Sequence, residues 1–341
     1  MKKNKSLRTW PFWVLGIVVG ILLVTSLMLN LAAVAVLVGG GSGSSELPKD
    51  EFPDLNEVGS YGSEGPKVVR IDLDAEITHD TASSLLGTPG HDRVESWLRQ
   101  LRCATADDKV KGLLIEVDSP GGGVTSSDEL YHEVCRFKEA QPGRVVVALV
   151  HDMAASGAYY AILGADCIVA QPTALVGSVG VLLNGVNASG LAQKLGIQDA
   201  TLTSGANKDA MNPLKPLDPA QVALLQAEVD AMYERFLGLV AKHRKVDKTR
   251  LRKICDGRVM GVGLALENGL IDRVGYREDA LELLAKLLEA DSVRVMRYEE
   301  STSLFDELLG LRQGGGNLIG WVGGLLGVET RPPHMQARFE P

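Results

Sequence analysis

The sequence predicts an α/β domain built on a largely parallel sheet and preceded by one long apolar helix. Three observations carry this reading. Residues 11–38 are apolar except for Thr25, Ser26 and Asn30. From Lys67 onward, short β-branched runs alternate with amphipathic helical stretches, the signature of strand–helix–strand crossovers. Finally, 341 residues, 45% of them hydrophobic, are enough to bury a core without disulfide or metal staples.

The apolar stretch 11–38 exceeds the about 20 residues that a helix needs to cross a bilayer, and also the roughly 7 to 15 of a cleavable signal peptide. It therefore reads as a retained transmembrane helix. Lys2, Lys3, Lys5 and Arg8 precede it, whereas Glu46, Asp50, Glu51, Asp54 and Glu57 follow it against Lys49. The positive-inside rule then places residues 1–10 in the cytoplasm and everything after the anchor outside it, as a single-pass protein of the cell (inner) membrane. Residues 39–66 open on GGGSGSS and read as a flexible linker.

The folded domain is expected over 67–292. Its strands are VVRIDL (68–73), GLLIEVD (112–118), VVVALV (145–150) and CIVA (167–170). Between them come helical stretches at 94–101, near 127–138, and at 156–163, the last made of small residues. Asp218-Pro219 then caps a helix that ends near Arg244, whose stripe runs through Val222, Leu225, Val229, Met232, Phe236 and Val240. Asp247 caps another, and 278–288 forms a last one. From 293 to 341, glycine and proline are so frequent that the segment reads as a disordered tail or a membrane-surface contact.

Several function classes recede at this level. The net charge of -8 comes without a basic block beyond the extreme N-terminus, which argues against a nucleic-acid partner. Cys103, Cys135, Cys167 and Cys255 lack metal-ligand spacing and read as buried thiols, so no metal is expected.

Two glycine-marked turns could carry chemistry. Strand 112–118 runs into Ser119-Pro120-Gly121-Gly122-Gly123, a turn able to present backbone N–H groups to negative charge beside the next helix. No GKS/T accompanies it, so a nucleotide loop is not supported. One strand later, Ser156 stands among alanines and glycine at the start of a helix, in the position of a nucleophile or of an ordinary N-cap. It is not a G-x-S-x-G elbow, because position 154 is alanine. His79, His91 and His151 each precede an aspartate, but adjacent residues on a strand face opposite ways and do not make a triad. A lysine can serve as base instead when it is held neutral; Lys208, in a small polar loop, offers that role or that of a solvated surface charge.

SPGGG, MAASGAYY, GSVGV (177–181) and SGANKD, in this order and at these separations, resemble the signal peptide peptidase A family of Ser-Lys proteases. The likeness runs from about Lys67 to about Val274 and includes DGRVMGVGLALENGLID (256–272). It implies a crotonase/Clp protease-like fold of repeated ββα units. It also implies Ser156 as nucleophile, Lys208 as general base, Gly122 and Gly157 as oxyanion-hole donors, and Ser178 as the residue that orients the lysine. Membrane-bound homo-oligomers, with serine and lysine contributed by neighbouring protomers, follow from the same resemblance. So do peptide substrates such as remnant signal peptides. With no metal cluster or nucleotide motif in the sequence, no cofactor is expected. Where relatives read ASGGYY this chain has Ala158, whose methyl is expected to narrow the pocket. The competing readings are a crotonase-type acyl-CoA enzyme, which has little use for an exported location or for both Ser156 and Lys208, and a catalytically silent membrane scaffold.

Overall fold

The structure, a computed structural model, describes residues 12–39, 55–79 and 92–299. Helix α1 (Phe12–Gly39) forms a unit by itself, and its sequence holds no Asp, Glu, Lys or Arg. The described side chains of α1 are Trp13 and residues 16–30, a run short of a full span; among the described residues no helix is long and apolar enough to cross a membrane.

The second unit holds all other elements. They begin with β1 (Asn56–Tyr61), β2 (Lys67–Leu73), α2 (Arg93–Ala106), β3 (Val110–Ser119), α3 (Val124–Ala140), β4 (Val145–Ala155), α4 (Gly157–Ile162), β5 (Cys167–Ala170) and β6 (Leu175–Gly177). There follow α5 (Ser189–Lys194), α6 (Pro219–Arg244), α7 (Lys248–Ile254), β7 (Val259–Gly261), α8 (Val262–Glu267), β8 (Arg273–Val274), α9 (Arg277–Leu287) and β9 (Arg294–Glu299). The strands form one mixed sheet in the order β1-β9-β2-β3-β4-β5-β8, with β6 beside the far end of β4 and β7 beyond it. All pairings are parallel except β1–β9 and β6–β7. In chain order the implied ββα unit appears at β1–β2–α2 and β5–β6–α5, whereas β3–α3–β4 is a plain crossover. β1 and β9 fall in the segments read from sequence as linker and tail, so the sheet reaches past residues 67 and 292 on both sides.

The central strands are apolar on successive residues because both faces are covered, as parallel sheets require. Leu113 and Ile115 of β3, with Val146, Ala148 and Val150 of β4, face α2, α3 and α4 through Trp97, Leu130, Phe137 and Tyr159. Their alternates Leu114, Val147 and Leu149 face Ala280 and Leu284 of α9. The caps foreseen from sequence form: Asp218 accepts from Ala220 N, and Asp247 from Thr249 N and Arg250 N. The result is a rigid sheet whose carboxyl ends, at Ser119 and Ala155, hand over to the two glycine-marked turns.

Candidate active site

The SPGGG turn is held from outside the sheet. Buried Ser119 donates its Oγ–H to Ala75 O at 2.6 Å and accepts from Gly121 N at 3.2 Å. Ile77 N donates to Gly121 O, and Gly123 N donates to Ile77 O, both at 2.8 Å. The peptides on either side of Gly122 are thereby fixed, while the Gly122 N–H itself has no acceptor among the described residues. Glycine is required here by space. A Cβ at 122 would stand 2.2 Å from Ile77 O, and one at 121, where φ is 97°, would stand 2.6 Å from both Ala155 O and Gly157 N.

On β4, Val117↔Val150 is followed by Ser119↔Ala154, so Asp118 alone faces the three residues 151–153. This bulge carries the strand end toward the glycine turn. Ser156 then takes φ 51° and ψ −120°, a conformation that costs a non-glycine residue about 1–3 kcal/mol and gathers at functional sites. It is held there by Ser156 N donating to Gly177 O at 2.8 Å and by Tyr160 N donating to Ser156 O at 3.0 Å. A Cβ on Gly157 would lie 3.1 Å from Gly122 N, so the N–H groups of Gly122 and Gly157 are neighbours, and the second is also without an acceptor among the described residues. A half-buried serine beside two unused donors is the geometry of a nucleophile with an oxyanion hole.

Ser178, too, has a positive φ of 51°, and its N–H donates to Arg258 O at 2.8 Å. Ala155 and Gly177 are register partners, so the two strained serines follow one another off adjacent parallel strands. Gly122, Ser156 and Ser178 line one cleft of about 480 Å³, which α6 closes with Gln226, Val229, Asp230 and Tyr233. Gly157 is buried immediately behind it. Lys208 is exposed, does not line this cleft, and has no side-chain partner among the described residues.

Ala158 does not narrow the cleft. Its methyl is fully buried in the core and is not among the residues that line the cleft. His151 and His79 are engaged elsewhere. His151 uses both ring nitrogens, on Glu116 at 2.9 Å and Gln171 at 2.7 Å. His79 meets Asp92 at 2.8 Å and Glu129 at 3.3 Å, and the Asp92 carboxylate raises its pKa. His91 lies outside the described residues. The thiols of Cys167 and Cys255 are pushed up to about 11 by burial, which keeps them protonated and unreactive.

Sequence reasoning missed Ile77 and Ser127. Ile77 bridges Gly122 from a segment with no glycine or proline signal. Ser127, one turn into α3, places its Oγ 2.2 Å from where a Gly157 Cβ would sit and so reserves that position for glycine.

Comparison with known proteins identifies the family. The profile of peptidase family S49 matches residues 138–291, a span that includes Ser156, Ser178 and Lys208. A candidate signal peptide peptidase SppA of Enterococcus faecium is 35% identical over 77% of this chain and 74% of its own length. A candidate protease of Methanocaldococcus jannaschii is 37% identical over 65% of this chain and 71% of its own. Protease 4 of Salmonella typhi is 31% identical over 65% of this chain, which spans 35% of that longer protein. A mutant ClpP1 from Listeria monocytogenes superposes with a TM-score of 0.40 at 14% identity, over 62% of this chain and 93% of that one, a likeness too slight to argue from.

Proposed function

The chain belongs to peptidase family S49 and is a serine protease, and from that premise we propose that it is a membrane-anchored endopeptidase in which Ser156 is the nucleophile and Lys208 the general base. The observation that carries the assignment of Ser156 is its strained backbone beside the free N–H groups of Gly122 and Gly157. Ser156 Oγ attacks a peptide carbonyl, the two N–H groups take the developing oxyanion, the amine leaves, and water releases the acyl group. Lys208, deprotonated, receives the serine proton and returns it to the leaving amine. Ser178, strained and in the same cleft, is suited to orient that amine by a hydrogen bond.

Because Lys208 is exposed and away from the cleft of its own chain, the reading favours homo-oligomers in which a neighbouring copy supplies the lysine. The apolar surface around that loop agrees: Leu182, Val186 and Leu202 are 74%, 81% and 96% exposed, more than an isolated domain normally leaves to water. Helix α1 supports anchoring in the same way, with Ile21, Leu22 and Leu29 at 58%, 62% and 72% exposure that lipid would cover. With Lys2, Lys3, Lys5 and Arg8 before it, the anchor would leave the protease domain outside the cytoplasm. Substrates are then peptides at the membrane, such as remnant signal peptides.

The test uses the full chain in detergent micelles, a fluorogenic peptide library, and the variants Ser156→Ala and Lys208→Ala. Each variant alone should be inactive, and co-assembled mixtures should regain activity. Equal turnover by Lys208→Ala removes the base assignment; no recovery in mixtures shown to co-assemble removes the shared site.

A further inference from the structure

The loop between α5 and α6 carries Lys208, and it is ordered by charges that the proposed reaction leaves unused. Lys215 Nζ lies 2.6 Å from Asp209 Oδ2 and 3.0 Å from Asp199 Oδ2. Asp199 in turn accepts from Thr201 Oγ1 at 2.7 Å and Asn212 Nδ2 at 3.1 Å, and these bonds with Lys215 hold its carboxyl far below the usual range. Further bonds tie the same residues: Lys208 N donates to Gly205 O at 3.1 Å and Asn212 N to Asp209 O at 2.9 Å, and the Asn187 side chain donates its Nδ2 to Lys215 O at 2.6 Å.

The arrangement is asymmetric in a useful way. Lys208, Lys215, Asp199 and Asp209 share one loop, yet both Asp209 and Asp199 are committed to Lys215, and both are largely covered, at 15% and 12% exposure. Lys208, the immediate neighbour of Asp209, has no side-chain partner among the described residues. A carboxylate paired with a lysine favours its charged form, and a charged lysine cannot accept a proton.

We propose that Lys215 is a positioning residue for Lys208: by taking up Asp209 and Asp199 it sets the loop and keeps the neighbouring carboxylate off the base. This rests on Lys208 being the base. Lys215 touches no reacting atom, and its effect is exerted through Asp209.

The experiment measures kcat and KM of the full chain for one fluorogenic peptide. Lys215→Met should lower kcat about tenfold or more with KM held within about twofold, because the cleft is untouched. Lys215→Arg, which keeps the charge and the donors, should retain most of the activity. The deciding variant is Lys215→Met combined with Asp209→Asn. It removes the ion pair just as fully, so a merely structural role predicts a loss equal to or deeper than the single variant; the positioning role predicts recovery of most of kcat. Normal kcat in Lys215→Met, or no recovery in the double variant, overturns the proposal. Full activity in Lys208→Ala overturns it together with the base assignment, whereas an inactive Lys208→Ala beside a normal Lys215→Met overturns the positioning role alone.

Discussion

Replacing Glu116 with glutamine should weaken the fold in a way that follows pH. Glu116 projects from β3 toward α9 at 4% exposure and accepts from Arg277 Nε and Nη2 at 2.9 Å each and from His151 Nε2 at 2.9 Å, with Arg70 Nε at 3.6 Å. Burial by itself pushes the carboxyl up, but the bonds from His151 and Arg277 and the charge of Arg70 overrule it and hold it at about 2, against an ordinary 4.5. That displacement corresponds to about 3 kcal/mol at neutral pH, and about 2 is expected once solvent screening at the half-exposed Arg277 is allowed for. The folded value lies below the unfolded one. The stabilisation is therefore whole above pH about 4.5 and is lost as pH falls through about 2, with about 1 kcal/mol left at pH 3. Urea unfolding of wild type and Glu116→Gln, followed by circular dichroism at pH 7, 4 and 3, reads this directly. A gap as wide at pH 3 as at pH 7 would refute an origin in the ionised carboxylate, and a gap near zero at pH 7 would refute the clamp itself.

Two further outcomes follow from packing. Gly157→Ala should cost about 10²-fold or more in kcat, because its Cβ would meet Ser127 Oγ at 2.2 Å and displace an oxyanion donor; adding Ser127→Ala removes that oxygen and should restore part of the rate in the same peptide assay. Tyr159→Phe deletes a buried 2.7 Å bond to Leu270 O and should cost about 1–2 kcal/mol in urea unfolding while leaving turnover per folded molecule unchanged.

The central crossovers were legible because apolar runs bounded by turn residues have few alternatives. CIVA became β5 over Cys167–Ala170, and GLLIEVD became β3 with a few residues added. β4 was read five residues short: His151, Asp152 and Met153 form a bulge whose polar residues look like the end of a strand. β1 and β9 were missed because NEVGSY and RVMRYE are too polar to announce themselves, and their pairing with each other spans most of the domain. At the site, sequence pointed to Ser156, Ser178 and Gly122, which the fold gathers into one cleft. It gave no warning of the strain at Ser156, since AASGA lacks the preceding glycine of a familiar elbow. Nor could spacing reveal that Lys208 does not line the cleft of its own chain, because that is decided by loop geometry.

The position of β9 bears on how the domain is made. Among the described residues it is the last strand in chain order, yet it lies between β1, the first, and β2, the second, pairing with both. During vectorial synthesis the β2–β3–β4 sheet can form as its strands emerge, but β1 has no partner until residue 299 is available. The edge of the sheet must therefore close late, joining strands more than 200 residues apart in the chain, and ordering so distant a contact is slow. A fragment cut where the family match ends, at residue 291, would lack this strand and leave two unpaired edges open to self-association.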